Sequence, residues 1–236
     1  KAKMAGDTPY LAPDLWSLFP NRLDDDGVPE GWHYEPASEL FDVRIGRTPP
    51  RKQTEHFLDG KSGVPWLSIK TMGGGDSFIF ETEESLTPDA VKAFRVPTVA
   101  EGTVLVSFKL TVGRVAIAGC TMATNEAIAH FNRTDRSPGT AFTYCHLRAF
   151  DYGRLGSTSS IATAVNSKTI KGIPFPSGCY ELQSNFEELA QPLLEKVRAN
   201  IVENQSLSQT RDLLLPKLMS GEIRVGEVSS RELSAA

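Results

Sequence analysis

The feature that most constrains this chain is a long stripe of apolar residues at helical spacing near its C-terminal end. The stripe recurs in steps of three and four residues at Phe186, Leu189, Leu193, Val197 and Ile201, and it continues to Leu215 and Leu218. Neither Gly nor Pro interrupts residues 193–215, and such spacing places apolar side chains on one face of a helix. The pattern predicts a helix over residues 184–215, about 45 Å long. A helix that only covers one face of the preceding domain would be shorter than this. We therefore expect part of the helix to project from the domain and to pair with another helix.

Polar residues and helix breakers mark the middle and the end of this stripe. Asn204 lies on the stripe, where a polar residue sets the register of paired helices. Pro216 should kink or end the helix because proline lacks the backbone N–H, and Ser220-Gly221 should stop it. The last ten residues should be disordered. The alternative is a partly frayed amphipathic helix that lies on the domain.

Residues 32–176 alternate apolar and polar side chains between turn residues, a pattern typical of short strands. We expect strands at 64–70 and 78–80, a turn at Gly73-Gly74-Gly75, and a β-hairpin formed by 103–108 and 113–118. A short helix is expected at 84–93, a polar loop at 157–160, and Trp32 and Trp66 in the core. Residues 1–30, broken by four prolines, should form an irregular but ordered arm. The fold class is therefore α+β, a mainly β-strand domain followed by one long helix.

The net charge of −4 conceals a charge gradient along the chain. Residues 1–104 hold 11 Lys and Arg against 17 Asp and Glu, and residues 176–236 hold six against nine. Between them, residues 105–175 hold eight against three. A basic middle between acidic flanks is what a localised polyanion-binding face requires. The alternative is a solvated surface with uneven charge.

Short motifs that resemble active sites each lack a required partner. Gly60-Lys61-Ser62 is not a phosphate-binding loop, since Glu55 occupies the position of the first glycine. Asp59-Gly60-Lys61 has no suitably spaced acidic partner upstream, as a nuclease motif needs. Cys145-His146 cannot be a nucleophile and its base if both lie on a strand, where neighbours face opposite sides, and a buried structural Cys145 is expected. The chain also lacks an Asn-Pro-Pro-Tyr-type motif for methylating a flipped base. We therefore predict a non-catalytic protein.

Cofactors, metals and membranes are likewise not indicated. The four histidines, His33, His56, His130 and His146, lack metal-ligand spacing, so no metal site and no cofactor are expected. Three cysteines cannot all pair with one another, and such low usage fits a reducing cytoplasm. No apolar run approaches the roughly 18 residues of a membrane helix.

The C-terminal segment 204–225, NQSLSQTRDLLLPKLMSGEIRV, resembles the closing segment of the specificity subunits of type I restriction–modification systems. Upstream motifs resemble those of a target recognition domain of the same family, in order and spacing. They are PEGW at 29–32, GRTP at 46–49, VPWLSIK at 64–70, residues 102–118, ATNEAI at 123–128 and AVNSKTIKGIPFP at 164–176. The resemblance covers most of residues 29–225.

The resemblance implies a DNA-binding role and a set of partners. Specificity subunits carry two target recognition domains, each followed by a long helix, and the two helices pair antiparallel as a spacer. Each domain recognises one half of a split DNA sequence, while methyltransferase and restriction (motor-nuclease) subunits dock and perform catalysis. This chain has one such domain and one helix. Its non-Met start leads us to expect a C-terminal fragment, paired with a second domain and helix of the same chain; a naturally short subunit that forms a homodimer is the alternative.

These inferences assign candidate sites and domain boundaries. The candidates for contacts with double-stranded DNA are Arg47, Arg51, Lys52, Lys70, Lys109, Arg114, Lys168 and Lys171. The candidates for helix pairing are Leu193, Val197, Ile201, Leu214 and Leu218. The expected division is an arm at 1–30, a target recognition domain at 31–176, the pairing helix at 177–225 and a flexible tail at 226–236. The competing hypothesis is a coiled-coil assembly or adaptor module that does not recognise DNA.

Overall fold

The computed structural model describes residues 6, 11–60, 62–155 and 165–224. The polar loop expected at 157–160 and the tail expected at 226–236 lie outside these residues. The chain divides into two compact units, Lys1–Glu195 and Lys196–Ala236. None of the helices in the described part of the chain is long and apolar enough to cross a membrane.

Helices and strands alternate irregularly along the described residues. The α-helices are α1 (Pro13–Leu18), α2 (Ala37–Leu40), α3 (Pro88–Ala93), α4 (Thr140–Ala149), α5 (Ser167–Lys171) and α6 (Tyr180–Met219). The first six strands are β1 (His33–Pro36), β2 (Phe41–Ile45), β3 (Phe57–Asp59), β4 (Val64–Leu67), β5 (Phe78–Ile79) and β6 (Glu84–Leu86). The others are β7 (Thr98–Val99), β8 (Val104–Ser107), β9 (Val115–Ala118), β10 (Met122–Thr124), β11 (Ile128–Arg133) and β12 (Pro174–Ser177). The content confirms the α+β class.

Two five-stranded sheets form the body of the first unit. One has the strand order β3-β6-β4-β10-β7 and the other β2-β11-β8-β9-β5, while β1 and β12 form a separate antiparallel pair. Most neighbours are antiparallel, but β4 with β10 and β5 with β9 are parallel. The expected hairpin is confirmed, since β8 and β9 pair antiparallel with Leu105 opposite Ala116.

The core consists of more than one buried cluster. One cluster combines residues of both sheets and includes Leu67, Leu105 and Ile128. A second surrounds Trp66 on the opposite face of β4, since neighbouring residues of a strand face opposite sides. Trp66 is therefore in the core as expected, whereas Trp32 is only half-buried and lies 6.4 Å from the ring of Phe19. The expectation for Trp32 was wrong because its ring lines an open apolar cavity, together with Phe19 of the arm and Phe186 of α6.

The helix expected at 84–93 is two elements. Residues 84–86 form β6, which pairs with β3 and β4, and α3 begins only at Pro88. Thr87 caps α3, because its hydroxyl accepts the backbone N–H of Ala90 at 3.1 Å. A threonine cap followed by proline at the first helical position is a standard helix start. This signal within the predicted helix separates the strand from the helix.

The region around Cys145 is helical, so the expected strand there is wrong. Within α4 the buried side chains include Ala141, Tyr144 and Leu147, which recur every three residues. Cys145 falls between them and is exposed, contrary to the buried cysteine we expected. The ring N–H of His146 donates to the Pro174 carbonyl at 2.8 Å. His146 is therefore held away from a role as base for Cys145.

The long helix is confirmed, with different ends. α6 begins at Tyr180 instead of 184 and continues past Pro216 to Met219. Pro216 removes one hydrogen bond in the last turns, where the freed carbonyl is exposed to water, so the helix continues for three residues. The chain then turns at Gly221, which has a φ of 74°. This left-handed glycine after the helix is the expected stop.

Candidate nucleic-acid interface

Arg47 lies two residues after the end of β2, in a loop held against the end of β10. A Cβ on Gly46 would lie 2.0 Å from Oγ1 of Thr124, so only glycine fits this approach. The backbone N–H of Arg47 donates to the Thr124 carbonyl at 2.9 Å. Its exposed side chain donates from Nη1 to the Phe94 carbonyl at 2.8 Å. Arg47 therefore braces its loop while its guanidinium remains at the surface.

Arg51 lies further along the same loop and is both stacked and paired. Its guanidinium carbon lies 4.4 Å from the ring centroid of Phe57 and 4.6 Å from that of Trp66. Nη1 and Nη2 donate to the two carboxylate oxygens of Glu84 at 2.6 and 2.9 Å. These bonds lower the pKa of Glu84 despite its partial burial. Arg51 is thus held in one orientation at the surface.

Lys70 lies in the segment after β4, and Arg114 lies in the hairpin turn, directly before β9. The Lys70 ammonium donates to the Glu83 carboxylate at 2.8 Å, and this bond raises the pKa of Lys70. Arg114 donates from Nη1 to the Ile69 carbonyl at 2.9 Å. A Cβ on Gly73 would lie 2.6 Å from the same nitrogen. Arg114 therefore ties the β8–β9 hairpin to the segment that carries Lys70.

Lys109 lies in the turn between β8 and β9 and is exposed. Its ammonium lies 5.7 Å from the ring centroid of Phe108. Partial desolvation opposes ionisation of Glu126. The ionised form is favoured by the Thr48 hydroxyl, which donates to the carboxylate, and by the charges of Lys109 and Arg51. The pKa of Glu126 is therefore lowered. The carboxylate of Glu126 thus interacts electrostatically with cations of two loops, the loop that carries Arg51 and the turn that carries Lys109.

The loops that carry these cations meet at one edge of the two sheets. β4 and β10 run parallel and pair at Leu67 and Thr124, so both strands end at this edge. The end of β2, at Ile45, lies opposite Ala129 near the start of β11. Six of the eight predicted cations lie on these loops: Arg47, Arg51, Lys52, Lys70, Lys109 and Arg114. We call this set of loop residues the cationic edge.

Lys168 and Lys171 lie elsewhere. Both are exposed on α5, which packs against α2 at the opposite end of β2. The backbone N–H of Ala37, the first residue of α2, donates to the Ile173 carbonyl at 2.8 Å. A strand the length of β2 spans about 17 Å. The structure therefore does not bring these two lysines to the cationic edge.

Sequence reasoning missed the acidic and hydroxyl groups that order the cationic edge. Glu83 and Glu84 pair with Lys70 and Arg51, and Thr48 bonds to Glu126. Thr48 and Glu126 lie within the GRTP and ATNEAI motifs, so the motifs already contained the signal. Charge counting alone treats such carboxylates as opposing the cations, although here they orient them.

A buried histidine lies beneath this edge. His130 is fully buried on β11, and its Nε2 lies 2.6 Å from Oγ1 of Thr124. Its Nδ1 has no hydrogen-bond partner among the described residues. Burial, with a smaller effect of the Arg44 charge, lowers the pKa of His130 to about 4. The imidazole is therefore neutral at pH 7.

We expect this histidine to make the stability of the first unit depend on pH. In the unfolded chain His130 binds a proton near pH 6.5, but in the folded protein only near pH 4. As the pH falls between these values, the unfolded state binds more protons, so about 3 kcal/mol of unfolding free energy is lost, with no further loss from this group below pH 4. Urea unfolding of the wild type and of His130→Gln at pH 7 and pH 4.5 measures this loss.

Between pH 7 and pH 4.5, His130→Gln should lose less unfolding free energy than the wild type, because glutamine does not titrate. His33→Gln changes an exposed histidine and is the control. Equal losses in the wild type and in His130→Gln would contradict the assignment.

The candidates for helix pairing all lie on α6. Leu193 belongs to the first unit and is 70% exposed. Within the second unit, Val197, Leu214 and Leu218 are exposed and Ile201 is half-buried. No residue of the second unit is buried among those described. The apolar side chains of this helix are thus available for contacts, and their role in pairing stays a prediction.

The described residues contain no group of three or more His, Cys, Asp and Glu side chains that could hold a metal ion. Lys61, in the rejected Gly60-Lys61-Ser62 motif, lies outside them. At the cationic edge, guanidinium and ammonium groups lie on loops that are braced by backbone carbonyls and carboxylates, a chemistry suited to contacts with phosphates.

Comparisons with known proteins show what the chain as a whole is similar to. The chain is 28% identical over 200 residues to the type I restriction enzyme HindI specificity subunit of Haemophilus influenzae, covering 83% of this chain and 42% of that protein. It is 25% identical over 220 residues to the MjaIX specificity subunit of Methanocaldococcus jannaschii, covering 89% and 48%. The chain thus spans less than half the length of these curated relatives. No family model matches the sequence.

Solved structures show the same fold. The chain superposes on the HsdS subunit of Thermoanaerobacter tengcongensis with a TM-score of 0.53 at 18% identity, covering 89% of this chain and 49% of that one. It superposes on the type I restriction–modification S subunit of M. genitalium with a TM-score of 0.55 at 18% identity, covering 80% and 46%. The resemblance inferred from the sequence motifs is therefore confirmed: the homologues of this chain are type I specificity subunits.

Proposed function

We propose that this chain recognises one half of a two-part DNA sequence as part of the specificity component of a type I restriction–modification complex. The observation that carries the proposal is the pattern of coverage. More than four-fifths of the chain matches less than half of each curated specificity subunit. One recognition domain with its helix accounts for that proportion.

In this proposal, the arm at 1–30 precedes a DNA-recognising domain at 31–176, a pairing helix at 177–225 and a tail at 226–236.

The cationic edge contacts DNA. The ion pair of Lys70 with Glu83 is exposed, so exchanging that carboxylate for a phosphate costs little. Contacts to phosphates position such a domain, and a few side chains in the major groove specify the bases. Lys168 and Lys171 lie on a separate surface and would contact a different stretch of backbone.

The proposed partners follow from the homologous complexes. The chain itself is non-catalytic and uses no cofactor; methyltransferase and restriction subunits dock on it and act on the DNA in the cytoplasm. The second recognition unit comes from the same polypeptide or from a second copy of this chain in a homodimer.

The competing function is a coiled-coil adaptor that does not recognise DNA. It accounts for the apolar face of α6 but not for the braced cations at the edge of the sheets. An adaptor would show no sequence-dependent DNA binding, whereas a recognition domain enriches particular sequences. A stand-alone DNA-modifying enzyme would instead bind S-adenosylmethionine without a partner.

The test is selection of randomised duplex DNA by the full chain, with and without the methyltransferase subunit, followed by sequencing. We expect a consensus half-site whose binding weakens with salt, because each phosphate contact adds about 0.9 to the slope of log affinity against log salt. Lys109→Gln should reduce that slope by about 1. Arg22→Gln removes an exposed cation of the arm and is the control. A pool that stays random, or an affinity that is independent of salt, would overturn the proposal.

A further inference from the structure

The tip of the β8–β9 hairpin carries an apolar side chain that the fold does not use. Leu110 is 96% exposed, so it buries almost nothing within the protein. Its φ is 62°, in the left-handed region that glycine and asparagine tolerate and leucine rarely adopts. Glycine or asparagine would relieve both the exposure of apolar surface and the backbone strain. The stability of the fold therefore gives no reason for a leucine at this position.

The tip is held in one conformation by hydrogen bonds on both sides of Leu110. The backbone N–H of Thr111 donates to the Lys109 carbonyl at 2.7 Å, closing a γ-turn around Leu110. The Ser107 hydroxyl donates to the Thr111 carbonyl at 2.5 Å and accepts the backbone N–H of Arg114 at 3.1 Å. The leucine is thus presented on a preorganised tip, where little conformational freedom remains to be lost on binding.

The base of the turn is fixed by close packing. Gly113 has a φ of 87°, and a Cβ on it would lie 2.7 Å from the Tyr152 ring. The hydroxyl of Tyr152 in turn donates to the Leu147 carbonyl of α4 at 2.9 Å. The hairpin is therefore anchored to α4 below while its tip extends into solvent.

Two cations, Lys109 and Arg114, flank this apolar tip along the hairpin turn. Lys109 is its immediate neighbour, and the charges of Lys109 and Arg51 both act on Glu126. Arg114, at the base of the hairpin, bonds to the segment that carries Lys70. An apolar tip flanked by cations fits a ligand with apolar groups inside a polyanionic frame. The major groove of DNA is such a ligand: it admits a two-stranded β-ribbon, and the thymine 5-methyl group is its apolar feature.

We propose that Leu110 enters the major groove and contacts the 5-methyl group of a thymine in the half-site. This inference rests on the proposed DNA recognition and adds a specificity-determining residue to it. Lys109, beside the leucine, contacts the flanking phosphates. Leu110 then selects thymine through apolar contact, whereas the cations of the edge supply affinity for any sequence.

The test uses the full chain and two randomised duplex libraries. One library contains thymine, and the other contains deoxyuridine in its place, which differs from thymine only by lacking the 5-methyl group. In the consensus selected by the wild type, replacing one particular thymine by deoxyuridine should weaken binding about fourfold, the value of one buried methyl group. Leu110→Asn keeps the backbone conformation and should bind both duplexes equally. Leu110→Met keeps the apolar contact and should retain the preference. Fluorescence anisotropy measures each affinity.

The outcomes separate this inference from the proposed function. If the wild type selects a consensus but no thymine in it is sensitive to deoxyuridine, or Leu110→Asn keeps the wild-type preference, the Leu110 contact is wrong and DNA recognition stands. If no consensus is selected, both fail. If Leu110→Asn keeps the preference but loses the methyltransferase subunit in a pull-down, the tip binds protein, and the inference is again overturned.

Discussion

Replacing Glu187 by alanine should lower the unfolding free energy of the first unit by about 2–3 kcal/mol. The two carboxylate oxygens of Glu187, on α6, accept the backbone N–H groups of Ala141 and Phe142 at 3.0 and 2.9 Å. These N–H groups belong to the first turn of α4, where no helical carbonyl is available to them. A carboxylate here also interacts favourably with the N-terminal end of the helix dipole. Losing it leaves two donors without a partner.

Gly139 gives a second way to remove the same interaction. A Cβ on Gly139 would lie 1.9 Å from the carboxyl carbon of Glu187. Because the carboxyl group is the end of a flexible side chain, Gly139→Ala should displace it and leave the backbone in place. The cost should therefore match that of Glu187→Ala. The double variant should cost no more than either single variant, since there is only one interaction to lose.

Urea unfolding followed by circular dichroism measures these costs. Glu187→Gln keeps one acceptor oxygen without the charge and should fall between wild type and Glu187→Ala. The control is Glu188→Ala, which removes an exposed carboxylate from the next position of the same helix. Additive costs in the double variant would show that Gly139 and Glu187 act separately and that the cap is not shared.

This cap also explains why the sequence did not predict α4. The helix has no side-chain cap of its own at Gly139, so the local sequence lacks the usual start signal. Its cap comes from Glu187, 46 positions beyond Ala141. A local pattern cannot contain such a partner, and the apolar run around Cys145 therefore suggested a strand.

Elements with local causes were predictable. The β8–β9 hairpin follows from two short, mostly apolar runs on either side of a turn that ends at Gly113, and α6 follows from the spacing of its apolar stripe. Pro216 predicted the end of α6 less well, because a proline near an exposed helix end removes only one hydrogen bond. In each case the outcome depends on residues within a few positions of the element.

The candidate site was predictable in residue type but not in arrangement. The motifs located Arg47, Lys70 and Lys109 near turns, and all three lie on the cationic edge. The sequence did not separate Lys168 from them, because the position of α5 depends on its packing against α2. The pairing of Arg51 with Glu84 likewise joins residues 33 positions apart. Counting charges along the chain does not reveal such contacts.

Replacing Ile201 by aspartate should abolish self-association of the full chain, if α6 pairs with a second copy of itself. Ile201 lies on the apolar stripe of α6, between Val197 and the polar Asn204. In a symmetric pair each substitution places a carboxylate from both copies in the seam. Removing a carboxylate from water without a partner costs several kcal/mol, which exceeds what a marginal helix pair can supply. Sedimentation velocity at several concentrations measures the change.

The control must carry the same new charge away from the stripe. Asn200→Asp adds an aspartate at the preceding position, about 100° around the helix, where the side chain is exposed. It should leave association unchanged, and circular dichroism should show equal helix content in both variants. If Ile201→Asp still associates, this stripe is not the seam. If the wild type is already a monomer, α6 does not pair with a second copy of this chain, although Leu207 and Leu215 are 60% and 50% exposed.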